Sequence, residues 1–435
     1  MDTSLYDLNQ VGKPFKLLNC TNGGPWYKRH VVDQLRTNFP EYKNARIPYS
    51  RNHDSAVHGT YGGPYSHDIS NIFPNFDADP YDPASYDFAC TDEDIFVCLE
   101  ANTKTFFRLG QTIEHQIIKH NIHAPKDFHK WAVICEHIIR HYTEGWANGH
   151  HLDMEYWEIW NEPDLDPDEA TNRRTWGGTA AQFFDLYAIA AKHLKTCFPH
   201  LKIGGPALAY NHDWAEKFLS EMQKREVPID FFSWHMYATE PHVLTDLAIF
   251  FRELLDKYGY NNTESILNEW NYVRGWVEDF VYSLEAIHGM KGASFLSACI
   301  SKAQDSPVDM LMYYDTRPSV FNGCFDFYNC KPLKGYYPMY WYGMFYDCQN
   351  EVNASNTIDH VYGICGLNKG KVLATYTYYS EDDTLPNKEF TIDFGRNGTY
   401  EIYLLDNDNN GTLWKTTSDL HFDLPLFSTI LIKEI

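Results

Sequence analysis

Trp157-Glu158-Ile159-Trp160-Asn161-Glu162-Pro163-Asp164 is a short apolar, β-prone run that stops in a polar turn. Ser265-Ile266-Leu267-Asn268-Glu269-Trp270-Asn271 is built the same way further along the chain. Each places a glutamate where a strand is expected to end and a loop to begin. Working outward, six more apolar, β-prone segments carry similar punctuation, so that eight are found at 15–20, 45–48, 105–109, 156–160, 202–205, 229–234, 265–267 and 310–314. Helical periodicity fills the gaps, at 94–100 behind a Thr91-x-x-Asp94 capping signal, and at 127–142, 180–197, 214–225, 243–258 and 280–302. Strand and helix alternating eight times predict an α/β fold, a (β/α)8 TIM barrel over residues 15–335. In such a barrel the active site forms at the C-terminal ends of the strands. Glu162 then follows strand four and Glu269 follows strand seven.

Two regions depart from the barrel rhythm. From 49 to about 90 the chain is rich in Asp, Pro, Tyr and Gly, and a connection that long is expected to fold over the barrel mouth. After about 335 the pattern changes to short β-rich stretches at 372–379, 389–394, 399–405 and 428–432, separated by Asp/Asn/Gly turns such as 406–411. This predicts a C-terminal antiparallel β-sandwich over 336–435, to which residues 1–14 add a strand.

The formal charge of −23, from 36 basic and 59 acidic side chains, argues against nucleic acid and anionic membrane surfaces as partners. No apolar run approaches the ~20 residues of a membrane span. The start, Met1-Asp2-Thr3-Ser4, has no basic and apolar leader, so a cytoplasmic location is favoured, with a secreted or periplasmic one open if a leader was removed. Ten cysteines without ligand spacing read as free thiols.

Paired carboxylates at strand ends suit cleavage of a glycosidic bond. One acid protonates the leaving oxygen, and one carboxylate attacks or activates water. The acid must hold its proton near neutral pH, so apolar cover or a second carboxylate must raise its pKa. Glu162, between Trp160 and Pro163, fits that role, with Asn161 beside it to fix a substrate hydroxyl. The second carboxylate needs donors, for which Arg46 and Tyr237 are candidates. His115 and Glu114 after strand three, His235, and His53, Asp54, His67 and Asp68 in the long connection are further candidates for sugar contacts. Trp270 and Trp276 read equally as stacking platforms or core. Asp315 and Glu278 are rivals to Glu269.

Other chemistry finds little support. His137 and His141 are four apart on a predicted helix but lack the His-Glu-x-x-His order, and they read as helix surface. The 406–410 cluster lacks the glutamate of a calcium loop and reads as a turn. No phosphate loop is present, and no metal or cofactor is expected.

Asn161-Glu162-Pro163 and Glu269, in this barrel order, resemble the retaining (β/α)8 glycosidases of clan A. The wider Glu158-Ile159-Trp160-Asn161-Glu162-Pro163-Asp164 string with a trailing sandwich resembles glycoside hydrolase family 39, whose members include β-xylosidases, α-L-iduronidases and arabinose-releasing enzymes. The resemblance implies Glu162 as acid/base, Glu269 as nucleophile, Asn161 on the hydroxyl beside the reacting carbon, and Tyr237 supporting the nucleophile. The chain departs from common members in the long connection after strand two and in Tyr313-Tyr314-Asp315, where many clan relatives carry a Trp. The expectation is an exo-acting retaining hydrolase of arabinosyl, xylosyl or galactosyl linkages in an oligosaccharide or polysaccharide. A non-catalytic carbohydrate-binding protein and a transglycosylase are the alternatives, and a homo-oligomer stays open.

Overall fold

The computed structural model describes residues 2–26, 37–54, 65–317 and 319–435. Eight parallel strands close a barrel: β2 Leu17–Asn22, β3 Tyr49–Arg51, β4 Lys104–Leu109, β5 Tyr156–Ile159, β6 Lys202–Leu208, β7 Phe231–Ala238, β8 Glu264–Tyr272 and β9 Met310–Tyr313. They are preceded by β1, Asp2–Leu5. The outer layer comprises α1 Phe39–Ala45, α2 Ile69–Ile72, α3 Ala89–Glu100, α4 Phe128–Glu144, α5 Ala180–Cys197, α6 His212–Lys224, α7 His242–Lys257, α8 Phe280–His288, α9 Met290–Asp305 and α10 Tyr336–Met344.

Local chemistry starts these helices where the sequence says. Thr179 and Gln182 form a reciprocal capping box at α5, Asp127 accepts two backbone N–H groups at α4, and Asn211 accepts one at α6. Two expectations fail. Thr91 does not cap a helix; α3 begins earlier, and the Thr91 hydroxyl donates to the Ser66 carbonyl. The single helix expected over 280–302 is two, broken at an extended Gly289.

Seven further strands complete the C-terminal region: β10 Val361–Asn368, β11 Lys371–Tyr378, β12 Lys388–Asp393, β13 Tyr400–Leu405, β14 Asn410–Thr417, β15 His421–Leu424 and β16 Ser428–Glu434. Five form an antiparallel sheet in the order β10-β11-β16-β13-β14. The other sheet is β1-β12-β15, so the N-terminus does add a strand, and it pairs parallel with β12. Ile430 and Ile432 of β16 face the core between the two sheets, while Leu431 joins the barrel's core. This alternation lets the five-stranded sheet bury both faces, one in the sandwich and one on α9. Residues 336–344 are not sandwich but α10, packed on α1 and α9 of the barrel.

Residues 55–64 of the long connection lie outside the described residues, so the expected closure over the mouth falls partly there. Within the 406–411 segment residues 406–409 form the turn, with Asp406 Oδ1 accepting from the backbone N–H of Asp408 and Asn409, and 410–411 open β14. Cys20, Cys98, Cys135 and Cys299 are buried free thiols. Among the described residues, no helix is long and apolar enough to cross a membrane.

Candidate active site

Side chains two apart on a strand share a face, so each barrel strand can place one residue low in the lumen and another above it. Cys20, Tyr49, Phe106, Tyr156, Phe231 and Ile266 form a buried apolar floor. Two residues further along the same strands stand Asn22, Arg51, Arg108, Glu158, Ser233 and Asn268, all almost fully buried and all polar. The site is built on this upper layer.

Arg51 is its hub. Its Nε donates to Glu158 Oε2 at 2.7 Å, Nη2 to Asn161 Oδ1 at 2.6 Å and Nη1 to Glu269 Oε2 at 3.3 Å. Glu158 is completed by Ser233 Oγ at 2.6 Å and Asn268 Nδ2 at 2.5 Å, both donating to Oε1. Removing two charges from water is costly, and this arrangement offsets it by giving the buried carboxylate hydrogen bonds on both oxygens. Glu269 Oε1 accepts from the Tyr237 hydroxyl at 2.6 Å.

Glu162 sits just past β5 on unusual backbone. Trp160 and Glu162 are left-handed, with φ of 73° and 47°, a conformation costing about 1–3 kcal/mol for a non-glycine residue. The turn is pinned by Glu162 N donating to Ala207 O at 2.8 Å and by Trp160 Nε1 donating to Thr175 O at 2.8 Å. Asp164 anchors it further by accepting the backbone N–H groups of Ala209, Tyr210 and Asn211. The result is that one carboxylate oxygen each of Glu162 and Glu269, and one ring nitrogen of His235, lie within 4.8 Å of one another. His235 Nδ1 is 2.8 Å from Glu162 Oε1.

The two carboxyls differ electrostatically. Burial, reinforced by the Asp164 charge, pushes Glu162 up to about 8. Burial also raises Glu269, but His235, Arg51 and the Tyr237 hydroxyl all pull against it. Burial holds His235 below its ordinary value, which favours the neutral ring.

Both glutamates open into a cleft of about 730 Å³. His53, Asp54, His115, His235, Tyr237 and Trp276 line it, with His115 and Trp276 exposed at the rim. Tyr314 reaches it too and donates to Asp54 Oδ2 at 3.1 Å. His53 Nδ1, Asp54 Oδ1 and His235 Nε2 are buried polar atoms with no hydrogen-bond partner among the described residues.

Other expected residues lie elsewhere. Arg46 caps α1 on the outside and pairs with Asp347 at 2.8 Å, because the strand begins at Tyr49, after the segment read as strand two. Trp270 is fully buried against Phe295 and Tyr313, because the register shift in β8 after Leu267 lets Asn268 and Glu269 both enter the lumen and turns Trp270 to the helix layer. His67 is buried edge-on against Phe107. Asp68 is buried and accepts from Arg108 Nη2 at 2.7 Å and Thr112 Oγ1 at 2.9 Å. Asp315 is wholly buried, raised by burial to about 6, and accepts from Arg317 Nε at 2.7 Å and Ser319 Oγ at 2.8 Å. Glu114 accepts the backbone N–H groups of His120 and Asn121. Arg51 was missed, although an arginine closing Tyr49-Ser50-Arg51 is a signal for a charge at a strand end.

The family model for glycosyl hydrolases family 39 matches residues 66–280. A β-xylosidase from Geobacillus stearothermophilus is 30% identical over 184 residues, 39% of this chain and 34% of the relative. A β-xylosidase from Caldicellulosiruptor saccharolyticus is 31% identical over 183 residues, 40% of this chain and 35% of the relative. The matched region thus spans about a third of the length of these curated relatives. In three dimensions the chain superimposes on a glucosidase from Croceicoccus marinus with a TM-score of 0.77 at 22% identity, covering 100% of this chain and 99% of the other. At that identity the likeness shows the fold, a barrel with a trailing antiparallel β domain. The segment 66–280, which holds both strand-end glutamates, is thus the part of the chain that is similar to glycosyl hydrolases family 39.

Proposed function

We propose that the cleft is the active site of a retaining glycoside hydrolase acting by double displacement. The observation that carries this is the pairing of Glu162 and Glu269, with carboxylate oxygens within 4.8 Å. Retaining enzymes hold their carboxyls about 5–5.5 Å apart, whereas inverting ones need about 6.5–9.5 Å to admit water between them.

The surroundings support a division of roles. Glu162, raised to about 8, holds its proton at neutral pH and gives it to the glycosidic oxygen as that bond breaks. With His235 in the tautomer that carries its proton on Nδ1, 2.8 Å from Oε1, the Glu162 proton sits on Oε2. Glu269, supported by Tyr237 and Arg51, attacks the anomeric carbon and forms an ester to the sugar. Water then attacks the same carbon, its proton passes to Glu162, and Glu269 leaves as carboxylate. Asn161, whose carbonyl oxygen is taken by Arg51, keeps its amide N–H groups for the hydroxyl beside the reacting carbon. His53 Nδ1 and Asp54 Oδ1, the latter 3.3 Å from His53 Nε2 but without a hydrogen bond, are offered to other sugar hydroxyls. The rim residues His115 and Trp276 are placed to meet the leaving portion.

The likeness to two β-xylosidases makes a xyloside at the end of a plant-type glycan the first substrate to try, followed by arabinosides and galactosides. The test is a panel of aryl glycosides, with the first-formed sugar followed by proton NMR. Cleavage releasing the sugar with the anomeric configuration of the substrate is expected. Release of the inverted sugar would overturn the mechanism.

A further inference from the structure

Away from the cleft, on the outer face of the helix layer, Asp92, His141 and His150 bring three ligating atoms together, all within 4.8 Å of one another. Asp92 is in the first turn of α3, His141 in the last turn of α4, and His150 in the loop that follows. None of the three lines the catalytic cleft.

That loop is bent to bring His150 back onto α4. Gly145, Ala147 and Asn148 are all left-handed, with φ of 76°, 54° and 55°. For the two non-glycine residues this conformation costs about 1–3 kcal/mol each. His150 N donates to His141 O at 2.6 Å, and Gly145 N donates to His150 O at 2.9 Å. A Cβ at Gly149 would lie 2.1 Å from the His141 carbonyl oxygen, so only glycine allows this approach.

The hydrogen bonds at the cluster set the His141 ring between two acceptors. His141 Nδ1 is 2.9 Å from the Trp146 carbonyl, which can only accept, so Nδ1 carries a proton. In a neutral ring Nε2 is then a lone pair, yet it faces a second acceptor, Asp92 Oδ1, at 3.1 Å. The other Asp92 oxygen is 3.5 Å from His150 Nε2. That nitrogen is buried and has no hydrogen-bond partner among the described residues. Ligand atoms held at 2.0–2.2 Å in a tetrahedral zinc site stand about 3.4 Å from one another. The approach of each imidazole nitrogen to its nearer Asp92 oxygen is of that order, and one ligand atom from each of the three residues lies within 4.8 Å of the others.

We propose that Asp92, His141 and His150 bind one divalent ion of the zinc class, with water as fourth ligand, and that the ion staples α3 to the end of α4. Two imidazoles and one carboxylate suit zinc rather than calcium or magnesium. The Trp146 carbonyl supplies the outer support that fixes the tautomer of a ligating histidine. His141 is therefore not the helix-surface residue its sequence suggested. It is buried and stacks on Phe88 at 3.6 Å, and His137 is buried as well.

The test uses the full chain without an affinity tag, stripped with a chelator and titrated with Zn2+ against a chromophoric competitor. One equivalent is expected to bind. His150→Gln and Asp92→Asn should each weaken it by more than about 100-fold, beyond the 10–100-fold typical of an outer-shell change. Zinc should raise the thermal midpoint of the wild type and of neither variant. Co2+ should give a tetrahedral absorption band in the wild type only. Glycoside cleavage by His150→Gln should match the wild type, so failure here is distinguishable from failure of the catalytic assignment. Absence of stoichiometric zinc would overturn the proposal and leave a protonated His141 paired with Asp92. So would equal affinity in all three proteins, which would place the ion on other histidines.

Discussion

The floor and the upper layer of the barrel lumen come from the same strands, two residues apart, and are chemical opposites. Tyr49 lies below Arg51, Phe106 below Arg108, Tyr156 below Glu158 and Ile266 below Asn268. The floor buries apolar area by close packing, with only the Tyr49 and Tyr156 hydroxyls needing partners, which Glu155 and Glu264 supply. The upper layer buries charge, which is offset by hydrogen bonds among Arg51, Glu158, Ser233, Asn268 and Asn161 and by the pairing of Arg108 with Asp68. Stability is thus concentrated below and chemistry above. A substitution should reveal its layer by what it damages.

The largest contrast is expected between Glu269→Gln and Phe106→Ala. The first removes the attacking carboxylate and should lower kcat by at least about 10⁴-fold, the scale seen when a nucleophile is deleted, with the thermal midpoint unchanged or raised. The second opens a cavity in the floor and should cost about 3–5 kcal/mol of stability in denaturant titration, with kcat per folded molecule preserved. If Phe106→Ala destroyed turnover in folded protein, the separation of layers would fail.

Next in size, Arg51→Met should do both kinds of damage. It strands Glu158 and Glu269, at an expected cost of about 3–5 kcal/mol, and removes activity. Adding Glu158→Leu should recover part of the stability, since Glu269 stays stranded and Ser233 and Asn268 lose their acceptor, and none of the turnover, because an apolar pair cannot orient Glu269 and Asn161.

The pH profile sharpens the same comparison. Glu162 must be protonated to act, so kcat/KM should fall as pH rises through about 8. Glu269 must be ionised, and burial holds it above the ordinary glutamate range, so the acid limb should lie above that range. With a dinitrophenyl glycoside, whose leaving group needs no proton, Glu162→Gln should lose the alkaline limb of the glycosylation step. An alkaline limb that survives this change would assign the proton to another group.

The smallest effect is expected at Arg46. Its pair with Asp347 is roughly half exposed, so Arg46→Ala should cost under about 1 kcal/mol and leave kcat/KM unchanged.

What was legible in the sequence follows from the same physics. The eight-fold alternation and the two strand-end glutamates were readable because apolar runs and polar turns repeat at barrel spacing. Arg51 was not, because a strand of three residues has too little periodicity to separate from the helix end at Arg46. Trp270, which read equally as platform or core, proves to be core because a register shift in β8 after Leu267, invisible in the sequence, resets which side chains face the lumen. His67 and Asp68 look like solvated loop residues until Phe107 and Arg108, adjacent to each other on β4, draw them inside. The N-terminal strand was anticipated, but its parallel pairing with β12 depends on a partner nearly 400 residues away.

The central claim is that Glu269 forms the bond to the sugar while Glu162 moves the proton. It is tested most directly by incubating the protein with an activated 2-deoxy-2-fluoro glycoside of whichever sugar it cleaves, then mapping the labelled peptide by mass spectrometry. One fluorosugar per chain, on the peptide bearing Glu269 and absent from Glu269→Gln, is the expected result. A label on Asp315 or Glu158, or steady turnover with inversion and no label, would contradict it.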